Sequence, residues 1–304
     1  MHNCKKRISI LISSKDRKEK LKRLLETLNT CAIPGNTEAN ISIVDNASDD
    51  PYCKVELQAL VPNLHIKLIR TDRPGRSKIL NAVAAAETSD YFVFLDDDVE
   101  VPSDLLLSYM AMFGSSQHKL IAGRVFLSED IRTGLTDIGL TSLANFMPKT
   151  KFVGSVIGAN FACTRDVFDE IGGFDVALGP GTQLFGDDTL FGYEYVNRYG
   201  LIPVSTGQPV IHLPDVSRIT IDCQIKFIET SCLTEAYICR KLAMSNYRIT
   251  LINLWKVAIL YLFSFTLKPL VGINKQVERY YLRCYKSMRL KLAFLSFSST
   301  VESK

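Results

Sequence analysis

The sequence YFVFLDDDVE at residues 91–100 joins an apolar stretch to a run of acids. Its first five residues are apolar and mostly aromatic or β-branched, which predicts a strand buried in a sheet that is covered on both faces. Asp96, Asp97 and Asp98 follow directly, and three adjacent carboxylates repel one another and are costly to bury without a partner. In open α/β sheets, ligands bind just beyond the carboxyl ends of the strands, where these aspartates are expected.

A divalent cation is one explanation of the aspartate run. Mg²⁺ or Mn²⁺ would relieve the repulsion, because hard cations prefer oxygen ligands and often share them with substrate phosphates. The alternative is a solvated acidic turn that caps the next helix, with Asp104 as a further acid. For a run of three acids alone the alternative is favoured, since short motifs match by chance. The rest of the chain has to distinguish the two.

Strands and helices are predicted to alternate at short intervals along the chain. Leucines recur at helical spacing after the first strand, and Asp16 or Ser14 is the expected cap of that helix. Such alternation is typical of an α/β sandwich with a mainly parallel central sheet. The predicted strands are Arg7–Ser13, Ile41–Val44, His65–Ile69 and Tyr91–Leu95, and predicted helices lie near Lys54–Leu60, Ala82–Ala86 and Thr189–Tyr199.

Two of these strands end in acids, Asp45 after the second and the aspartate run after the fourth. An acid in this position commonly bonds a ribose hydroxyl, as in dinucleotide-binding domains. However, no GxGxxG follows the first strand and no GxxxxGK[ST] occurs, which excludes a Rossmann dehydrogenase and a P-loop enzyme. The pattern therefore indicates a nucleotide whose phosphates are held by a metal ion rather than by a glycine-rich loop.

Charge is distributed unevenly over the 304 residues. From Arg240 to the end there are 12 Lys and Arg against two acids, a net charge of +10. The first 239 residues hold 24 basic and 30 acidic residues, a net charge of −6. A basic tail on a mildly acidic body predicts an anionic surface as a partner.

The eight cysteines are scattered, and none forms a CxxC pair. The first residues are polar and do not resemble a secretory signal, so we expect free thiols in a reducing, cytoplasmic compartment. A zinc site is not expected, because none of the four histidines has ligand spacing to a cysteine.

Several segments together resemble family 2 glycosyltransferases, which have the GT-A fold. ISIVDNASDD (41–50), RPGRSKILNAVAAA (73–86) and YFVFLDDDVEVP (91–102) are similar to the amino-terminal half of that family. GANFACTRDVFDEIGGFD (158–175), GPGTQLFGDDTLFGYEYVNRYG (179–200) and PVIHLP (209–214) are similar to its acceptor-side stretch, its acidic segment and its later histidine. The resemblance covers about residues 7–214 and implies a GT-A catalytic domain over 1–222, with a helical appendage over 223–304.

The resemblance implies roles for the acids at the sheet edge. Asp98 is expected to bind Mn²⁺ or Mg²⁺, and Asp96 to lie nearer the ribose beside the same ion, while Asp97 either points away or assists. Asp45 is expected to contact the uracil or ribose of a nucleotide-sugar rather than form a simple Asx-turn. His212 is either a further metal ligand or a satisfied surface histidine. The other donor-binding positions implied are Ser14, Arg17, Asn46, Gly75, Arg76, Asn81 and Asp97.

On the acceptor side, Asp188 is the candidate general base, and it is also placed to cap the helix that follows. Asp187 stands where the family usually has Glu, and with Gly158, Ala159 and Asn160 it is expected to shape the sugar and acceptor pocket. The loop at residues 179–182 is expected to be mobile and to close over substrate. Leu80 replaces an arginine of many relatives, and Arg76 is the candidate substitute. The chain lacks QxxRW, which disfavours a processive synthase.

Two segments of the tail point towards a membrane. Ile249–Leu267 has 19 residues and one charge, Lys256, which favours an interfacial or re-entrant helix over a full span and leaves a buried core helix as an alternative. The last predicted helix has apolar and basic faces, as expected of an anchor at headgroup level. Its apolar face holds Val277, Tyr281, Cys284, Tyr285, Met288 and Leu292, and its basic face holds Lys275, Arg279, Arg283, Lys286 and Arg289. No nucleic-acid motif accompanies these charges.

The resemblance and the site chemistry together predict a metal-dependent, inverting, non-processive glycosyltransferase. The donor is expected to be a UDP-sugar, and the acceptor a glycan or a polyprenyl-lipid-linked sugar at the inner face of the cell membrane. One rival is a sugar-nucleotide nucleotidyltransferase, but its early phosphate loop is rich in glycine, whereas SSKDRKEK (13–20) has none. The other rival is a non-catalytic membrane-associated binding protein of the same fold, against which the intact aspartates argue.

Overall fold

The computed structural model describes residues 5–115, 117–127, 145–215, 220–242, 259, 262–263, 265–268, 271, 281–290 and 292–293. These residues form two compact units. The first unit holds the described residues up to 182 and those of 186–214, and the second holds residues 183–185 and the described residues from 215 onwards.

The first unit is built on a six-stranded sheet whose strand order is β3-β2-β1-β4-β9-β6. The four strands from β3 to β4 are parallel, whereas β9 runs antiparallel to both β4 and β6. The mainly parallel α/β sheet expected from the sequence is therefore confirmed. The strands are β1 (Lys6–Ser14), β2 (Thr37–Asn46), β3 (His65–Thr71), β4 (Tyr91–Asp96), β5 (Val99–Glu100), β6 (Leu120–Ala122), β7 (Val125–Leu127), β8 (Phe152–Val153), β9 (Asn160–Thr164), β10 (Ile202–Pro203) and β11 (Val210–His212).

Helices cover both faces of this sheet. The leucines of α1 are buried at helical spacing, but its N-cap is Arg17, which makes no side-chain capping bond, so the expected capping by Asp16 or Ser14 is wrong. Ser14 is the last residue of β1 and is bonded elsewhere. The helices are α1 (Lys18–Leu28), α2 (Lys54–Leu60), α3 (Arg76–Ala86), α4 (Leu105–Ser115), α5 (Arg165–Ile171), α6 (Asp187–Tyr199) and α7 (Ile221–Lys241).

The apolar core consists of two layers, one on each face of the sheet. One layer joins the inward residues of β1 and β2 to α1, α2 and α4. The other joins β4 and β9 to α3, α5 and α6, and aromatic rings dominate it. Phe94 stacks on Phe161 with ring centroids 4.7 Å apart. Burial on both faces explains why YFVFL is continuously apolar rather than alternating.

The strand order reverses at β1, because β2 and β3 are added on one side of it and β4 is added on the other. The register sets Ser14 opposite Asp45 and Ser13 opposite Asp96, so the polar ends of three strands meet at one edge. In open α/β sheets, such a switch point is where the ligand crevice forms.

A second sheet of three short strands, in the order β5-β11-β7, lies beside this edge. The antiparallel register sets His212 opposite Val99, and the Leu213 N–H donates to the Asp98 carbonyl at 2.8 Å. This pairing brings a histidine more than a hundred residues away to the aspartate run.

In the second unit, α7 packs against the helical residues 281–290. Tyr281 and Met288 are buried and Tyr285 is partly buried against the same cluster, so these three residues of the face expected to meet lipid contact the protein itself, whereas Leu292 is exposed. Residues 249–258 of the predicted apolar segment, and Lys275, Val277 and Arg279 of the predicted amphipathic helix, lie outside the described residues. In the described parts of the chain, no helix has the length and apolar character needed to cross a bilayer.

Candidate active site

The three aspartates of the run have different surroundings. Asp96 ends β4 and is partly exposed, with its carboxylate 2.9 Å from Arg76 Nη2. Asp97 and Asp98 lie in the turn between β4 and β5 and are buried. The turn is therefore not a solvated acidic cap, because two of its three carboxylates are enclosed by the protein.

Asp97 is held inside the site by side chains from β1 and from the residue before α1. Ser14 Oγ donates to it at 2.6 Å and Arg17 Nη1 at 2.9 Å, and Ser14 Oγ also lies 2.6 Å from the Tyr52 hydroxyl. Burial, together with repulsion from Asp98, raises the pKa of Asp97 to about 6 despite these donors. The Asp97 carboxylate is thus enclosed by the protein, and an assisting role at the site stays a proposal for it.

Asp98 is surrounded by positive or proton-donating groups. Its carboxylate lies 3.3 Å from His212 Nε2, 3.1 Å from Arg17 Nη1 and 4.0 Å from Lys20 Nζ. Burial by itself would raise the pKa of Asp98, but His212, Arg17 and Lys20 outweigh it and lower that pKa. Asp98 is therefore ionised at neutral pH, as a metal ligand must be.

The donor atoms around Asp98 suit Mn²⁺ or Mg²⁺. A carboxylate oxygen and an imidazole nitrogen 3.3 Å apart are chemically compatible with Mn²⁺, and Asp96 presents a partly exposed carboxylate beside them. Within the described residues, no three His, Cys, Asp or Glu side chains are gathered closely enough to hold a metal ion alone. Mg²⁺ commonly binds through one or two protein carboxylates together with substrate phosphates and water.

Asp45 is buried at the end of β2 and organises the loop that follows. It accepts the N–H of Ser48 at 2.9 Å and that of Tyr52 at 3.3 Å, with Arg70 Nη1 at 3.7 Å. The hydrogen bonds of an Asx-turn, which was the alternative role for Asp45, are therefore present. Contact with a base or ribose stays a proposal for this residue.

The loops after β1 and β2 are bonded to each other. The Asp16 N–H donates to Ser48 Oγ at 3.0 Å, and the Asp49 N–H donates to Asp16 Oδ1 at 2.7 Å. Asp16 and Ala47 have φ of 54° and 60°, a region that L-residues rarely adopt. Non-glycine residues in this region concentrate at functional sites, where the surrounding structure maintains the strain.

Asp188 lies in the first turn of α6 rather than ahead of it. Its carboxylate accepts the N–H of Gly158 at 2.5 Å and that of Thr189 at 2.6 Å. The N-cap of α6 is Gly186, with no side-chain capping bond, so the expected capping of this helix by Asp187 or Asp188 is wrong. Burial and the neighbouring Asp187 raise the pKa of Asp188 to about 6, although Gly158, Arg76 and Thr189 act in the opposite direction. A carboxylate with a pKa just below neutrality is well matched to general base catalysis.

Asp187 belongs to a close contact between α3 and the loop at residues 179–182. Ser77 Oγ donates to Leu178 O at 2.7 Å and to Asp187 Oδ2 at 2.9 Å, while the Arg76 N–H donates to Pro180 O at 3.1 Å. This loop was expected to be mobile near the acceptor, and in this structure it is packed onto the start of α3.

Arg76 lies between the two halves of the site. Its guanidinium contacts Asp96, and the attraction of Asp96, Asp187 and Asp188 raises its pKa, against the opposing effect of burial. A Cβ on Gly158 would lie 3.1 Å from Arg76 Nη2 and 3.2 Å from Asp188 Oδ2, so only glycine leaves both groups in place. Leu80, where relatives carry an arginine, is buried in the core.

Two predicted pocket residues bond other parts of the protein. Both amide atoms of Asn81 bond the backbone of Phe174, at 2.8 Å each. Asn160 is buried, accepts the Tyr109 hydroxyl at 2.7 Å and donates to Arg124 O at 3.1 Å. Each amide has a second donor hydrogen and a second lone pair, so contact with substrate stays a proposal for both residues.

Asn46, Gly75, Gly158 and Ala159 lie at the sheet edge that carries the aspartate run. Asn46 Oδ1 accepts the N–H of Gly75 at 2.9 Å, which joins the end of β2 to the start of α3. Antiparallel pairing of β9 with β4 sets Asn160 opposite Leu95, and so carries Gly158 and Ala159 to the same sheet edge.

Tyr52, Ser77 and Lys20 also contact the predicted site residues, although the sequence analysis did not identify them. A signal existed for Lys20, because the first turn of α1 follows Arg17 and carries further lysines. Positive charge is unfavourable at a helix amino-terminus unless an anion lies nearby. Here Asp98 supplies that negative charge.

The chain is similar to one known protein family and to solved structures of other proteins. The model of "Glycosyl transferase family 2" matches residues 9–172, whereas among curated proteins none matches the chain. The mannosyltransferase PcManGT from Pyrobaculum calidifontis, in complex with GDP-Man and Mn²⁺, is 14% identical with a TM-score of 0.64, covering 96% of this chain and 87% of that one. S. aureus TarS 1-349 in complex with UDP-GlcNAc is 12% identical with a TM-score of 0.52, covering 97% and 92%.

At such low identities the two structures show the fold, which confirms the expected GT-A sandwich. The family model shows family membership as well as fold, because its match spans more than half of the chain. The matched residues include the strands that carry Ser14, Asp45 and the aspartate run. The protein therefore belongs to glycosyl transferase family 2 and is a glycosyltransferase.

Proposed function

We propose that this glycosyltransferase moves one sugar from a nucleotide-diphospho-sugar to an acceptor hydroxyl, in a single displacement that inverts the anomeric centre. The observation that carries the proposal is the position of Arg76, whose guanidinium contacts Asp96 and lies close to Asp188. The Arg76 guanidinium thus lies near both a donor-side carboxylate and the candidate base. That arrangement is suited to a donor held at one carboxylate and an acceptor activated at the other.

In the proposed reaction, Asp188 accepts the proton of the acceptor hydroxyl as that oxygen attacks the anomeric carbon. The N–H groups of Gly158 and Thr189 hold the carboxylate in place, and burial keeps its proton affinity high enough to act as a base. Arg76 is positioned to neutralise negative charge on the diphosphate, which gathers on the leaving group as its bond to the sugar breaks.

Mn²⁺ or Mg²⁺ is proposed to bind at Asp98 and His212, with Asp96 beside them and the donor diphosphate completing the site. When bound, it would supply positive charge that stabilises the departing nucleoside diphosphate. Asp97 and Ser14 hold the turn that presents these ligands, and Arg17 and Lys20 balance its charge. The neighbouring structure with GDP-Man and Mn²⁺ supports a divalent ion in this fold.

The donor is proposed to be a UDP-sugar, bound with its nucleoside at Asp45 and Asn46. One structural neighbour holds UDP-GlcNAc and another GDP-Man, so both nucleotides belong in the test. The acceptor is proposed to be a glycan or a polyprenyl-lipid-linked sugar on the cytoplasmic side of a membrane. The basic, partly apolar carboxyl-terminal region supports that location.

A panel of UDP- and GDP-sugars with Mn²⁺ tests this proposal by release of the nucleoside diphosphate. We expect release from one donor class, loss of it in excess EDTA, and loss of both turnover and Mn²⁺-dependent nucleotide binding in Asp98→Asn. Asp169→Asn, at an exposed carboxylate of α5, is the matched control and should behave as the native protein. Full activity of Asp98→Asn, or of the native enzyme in EDTA, would refute the metal site.

A further inference from the structure

The second unit exposes large apolar side chains close together in sequence. Leu262, Phe263 and Phe265 are 61%, 57% and 69% exposed, and Ile259 is 44% exposed. We call these four residues the apolar patch. Single exposed leucines are ordinary in soluble proteins, but clustered aromatic and aliphatic side chains mark an interaction surface.

The apolar patch differs from the residues that follow it. Residues 259, 262–263 and 265–267 are helical, and all four side chains of the patch are exposed. Leu267 and Val271 are instead partly buried and pack against the cluster formed by α7, Tyr281 and Leu282. Within the described residues, the apolar side chains before Leu267 therefore face solvent, whereas Leu267 and Val271 contact the protein.

Charge around the apolar patch indicates what it meets. Lys268, three residues after Phe265, is exposed, as are Arg283 and Lys286 in the helical residues 281–290. The net charge of residues 240–304 is +10. Exposed Phe and Leu in a unit that also exposes Lys and Arg match the boundary between anionic headgroups and acyl chains, where both kinds of side chain are stabilised. A protein partner would need acids opposite these cations and a concave apolar site as well.

We propose that the apolar patch inserts into the interfacial layer of an anionic lipid membrane, with Lys268, Arg283 and Lys286 held at the headgroups. This assigns lipid contact to Leu262, Phe263 and Phe265 and not to the face of residues 281–290 that packs on α7. The inference deepens the proposed membrane location of the acceptor and rests on it for its biological use. The physical binding is independent of the catalytic chemistry.

Vesicle co-sedimentation of the full chain tests this directly, using phosphatidylcholine alone or with phosphatidylglycerol, each at low and high salt. The native protein should bind the anionic vesicles best, lose part of that binding at high salt, and retain the rest. The variant Leu262→Ser/Phe263→Ser/Phe265→Ser should bind at least roughly tenfold more weakly at high salt, since apolar burial is lost. Lys268→Gln/Lys286→Gln should weaken only the salt-sensitive part.

The matched control is Val55→Ser/Leu201→Ser, which removes two comparably exposed apolar side chains from the first unit. It should bind vesicles as the native protein does, and thermal unfolding of each variant verifies that it is folded. Native-like vesicle binding by the triple variant would overturn the inference. So would light scattering that shows a native dimer lost in the triple variant, because the apolar patch would then join two copies.

Nucleoside diphosphate release is measured on the same samples. If the triple variant loses vesicle binding but still releases nucleoside diphosphate from soluble donor as the native protein does, the membrane inference is supported. If the native protein binds vesicles but releases no nucleoside diphosphate from any donor, only the proposed function is refuted.

Discussion

Asp188 carries the clearest prediction at the scale of single residues. Asp188→Asn should lower kcat by about 10²–10⁴-fold, because an amide does not accept the acceptor's proton. The dissociation constant of the donor nucleotide, measured by calorimetry, should remain nearly unchanged. If nucleotide binding falls together with kcat, Asp188 serves only to fix Gly158 and the start of α6.

The pH dependence of kcat follows from the same carboxyl group. Because its pKa is raised to about 6 and the base must be ionised, kcat should rise as pH increases through about 6 and then level off. Folding stability should change in the opposite direction. A carboxyl whose pKa is higher in the folded than in the unfolded state stabilises the fold at low pH, and that contribution disappears as pH rises through the folded pKa.

Urea unfolding at a series of pH values, beside a pH–rate profile, measures both effects. In Asp188→Asn the stability change between about pH 4 and 6 should be smaller than in the native protein. A pH–rate profile that is flat between pH 5 and 7 would contradict the assignment.

The substitution Ala47→Gly tests whether the left-handed backbone at Ala47 destabilises the folded protein. A left-handed conformation destabilises an L-residue by about 1–2 kcal/mol, while glycine loses about 0.5–1 kcal/mol more in chain entropy. Ala47→Gly should therefore raise the free energy of unfolding by up to about 1 kcal/mol in urea denaturation. Ala39→Gly on β2, in an ordinary strand, should lower it instead. Destabilisation by both changes would mean that Ala47 is not strained.

Residue identities at the site were largely predictable, whereas their partners were not. Asp96, Asp98, His212 and Asp188 stand out in sequence, because acids and a histidine at strand and helix ends are conspicuous. A sequence does not reveal which asparagine has its amide used by the backbone. For Asn81 and Asn160, the sequence did not reveal that the side chains bond the Phe174 carbonyl and the Tyr109 hydroxyl.

At the scale of structural elements, Gly181→Ala tests the packing of the 179–182 loop on α3, and Gly172→Ala is its control. Gly181 and Gly172 have φ of 99° and 93°, so alanine at either position bears a similar backbone penalty. Only at Gly181 would the new Cβ collide, 2.8 Å from the nitrogen of Gly75. Gly172→Ala should therefore weaken folding by about 1–2 kcal/mol, and Gly181→Ala by roughly 1 kcal/mol more.

Urea denaturation of both variants gives that difference directly. If Gly181→Ala instead keeps the stability of Gly172→Ala, the loop has moved off α3, and KM for the acceptor should rise while the donor dissociation constant does not. Identical stability and identical KM would show that the loop does not pack on α3 in solution.

The long parallel strands β1 to β4 were predictable as elements, and the short strands of the second sheet were not. Long apolar runs such as those of β1 and β4 indicate strands by themselves, although the real bounds extend by one to four residues at some ends. β5, β7 and β11 have two or three residues each, too few for any periodicity to be detected. Their existence depends on pairing between distant segments, and that pairing is what brings His212 to Asp98.

For the whole molecule, the division into two units predicts independent unfolding. Leu282 is fully buried in the cluster of the second unit, so Leu282→Ala should weaken that unit by about 2–5 kcal/mol. Calorimetric scans of Leu282→Ala should show that the midpoint temperature of one unfolding transition falls while that of another is unchanged. Donor nucleotide with Mn²⁺ should raise the midpoint temperature of only the second transition, because a ligand stabilises the unit that binds it.

Leu292→Ala, at a partly exposed position of the same unit, should have little effect and is the control. A single transition that falls as a whole in Leu282→Ala, and rises as a whole with nucleotide, would mean that the two units unfold together.

The central position of β1 has a consequence for synthesis on the ribosome. Residues 8–12 (ISILI) lie between β2 and β4, and the register joins Ile8 to Tyr91. At about 5–20 residues per second, the nascent chain needs roughly 4–17 s after Ile8 is made before Tyr91 even exists. During that interval one edge of an apolar, β-prone strand has no intramolecular partner, which is the condition under which chains aggregate or bind chaperones. Slow translation between residues 46 and 91 would therefore lower the yield of native protein, although the finished fold contains no exposed β1 edge.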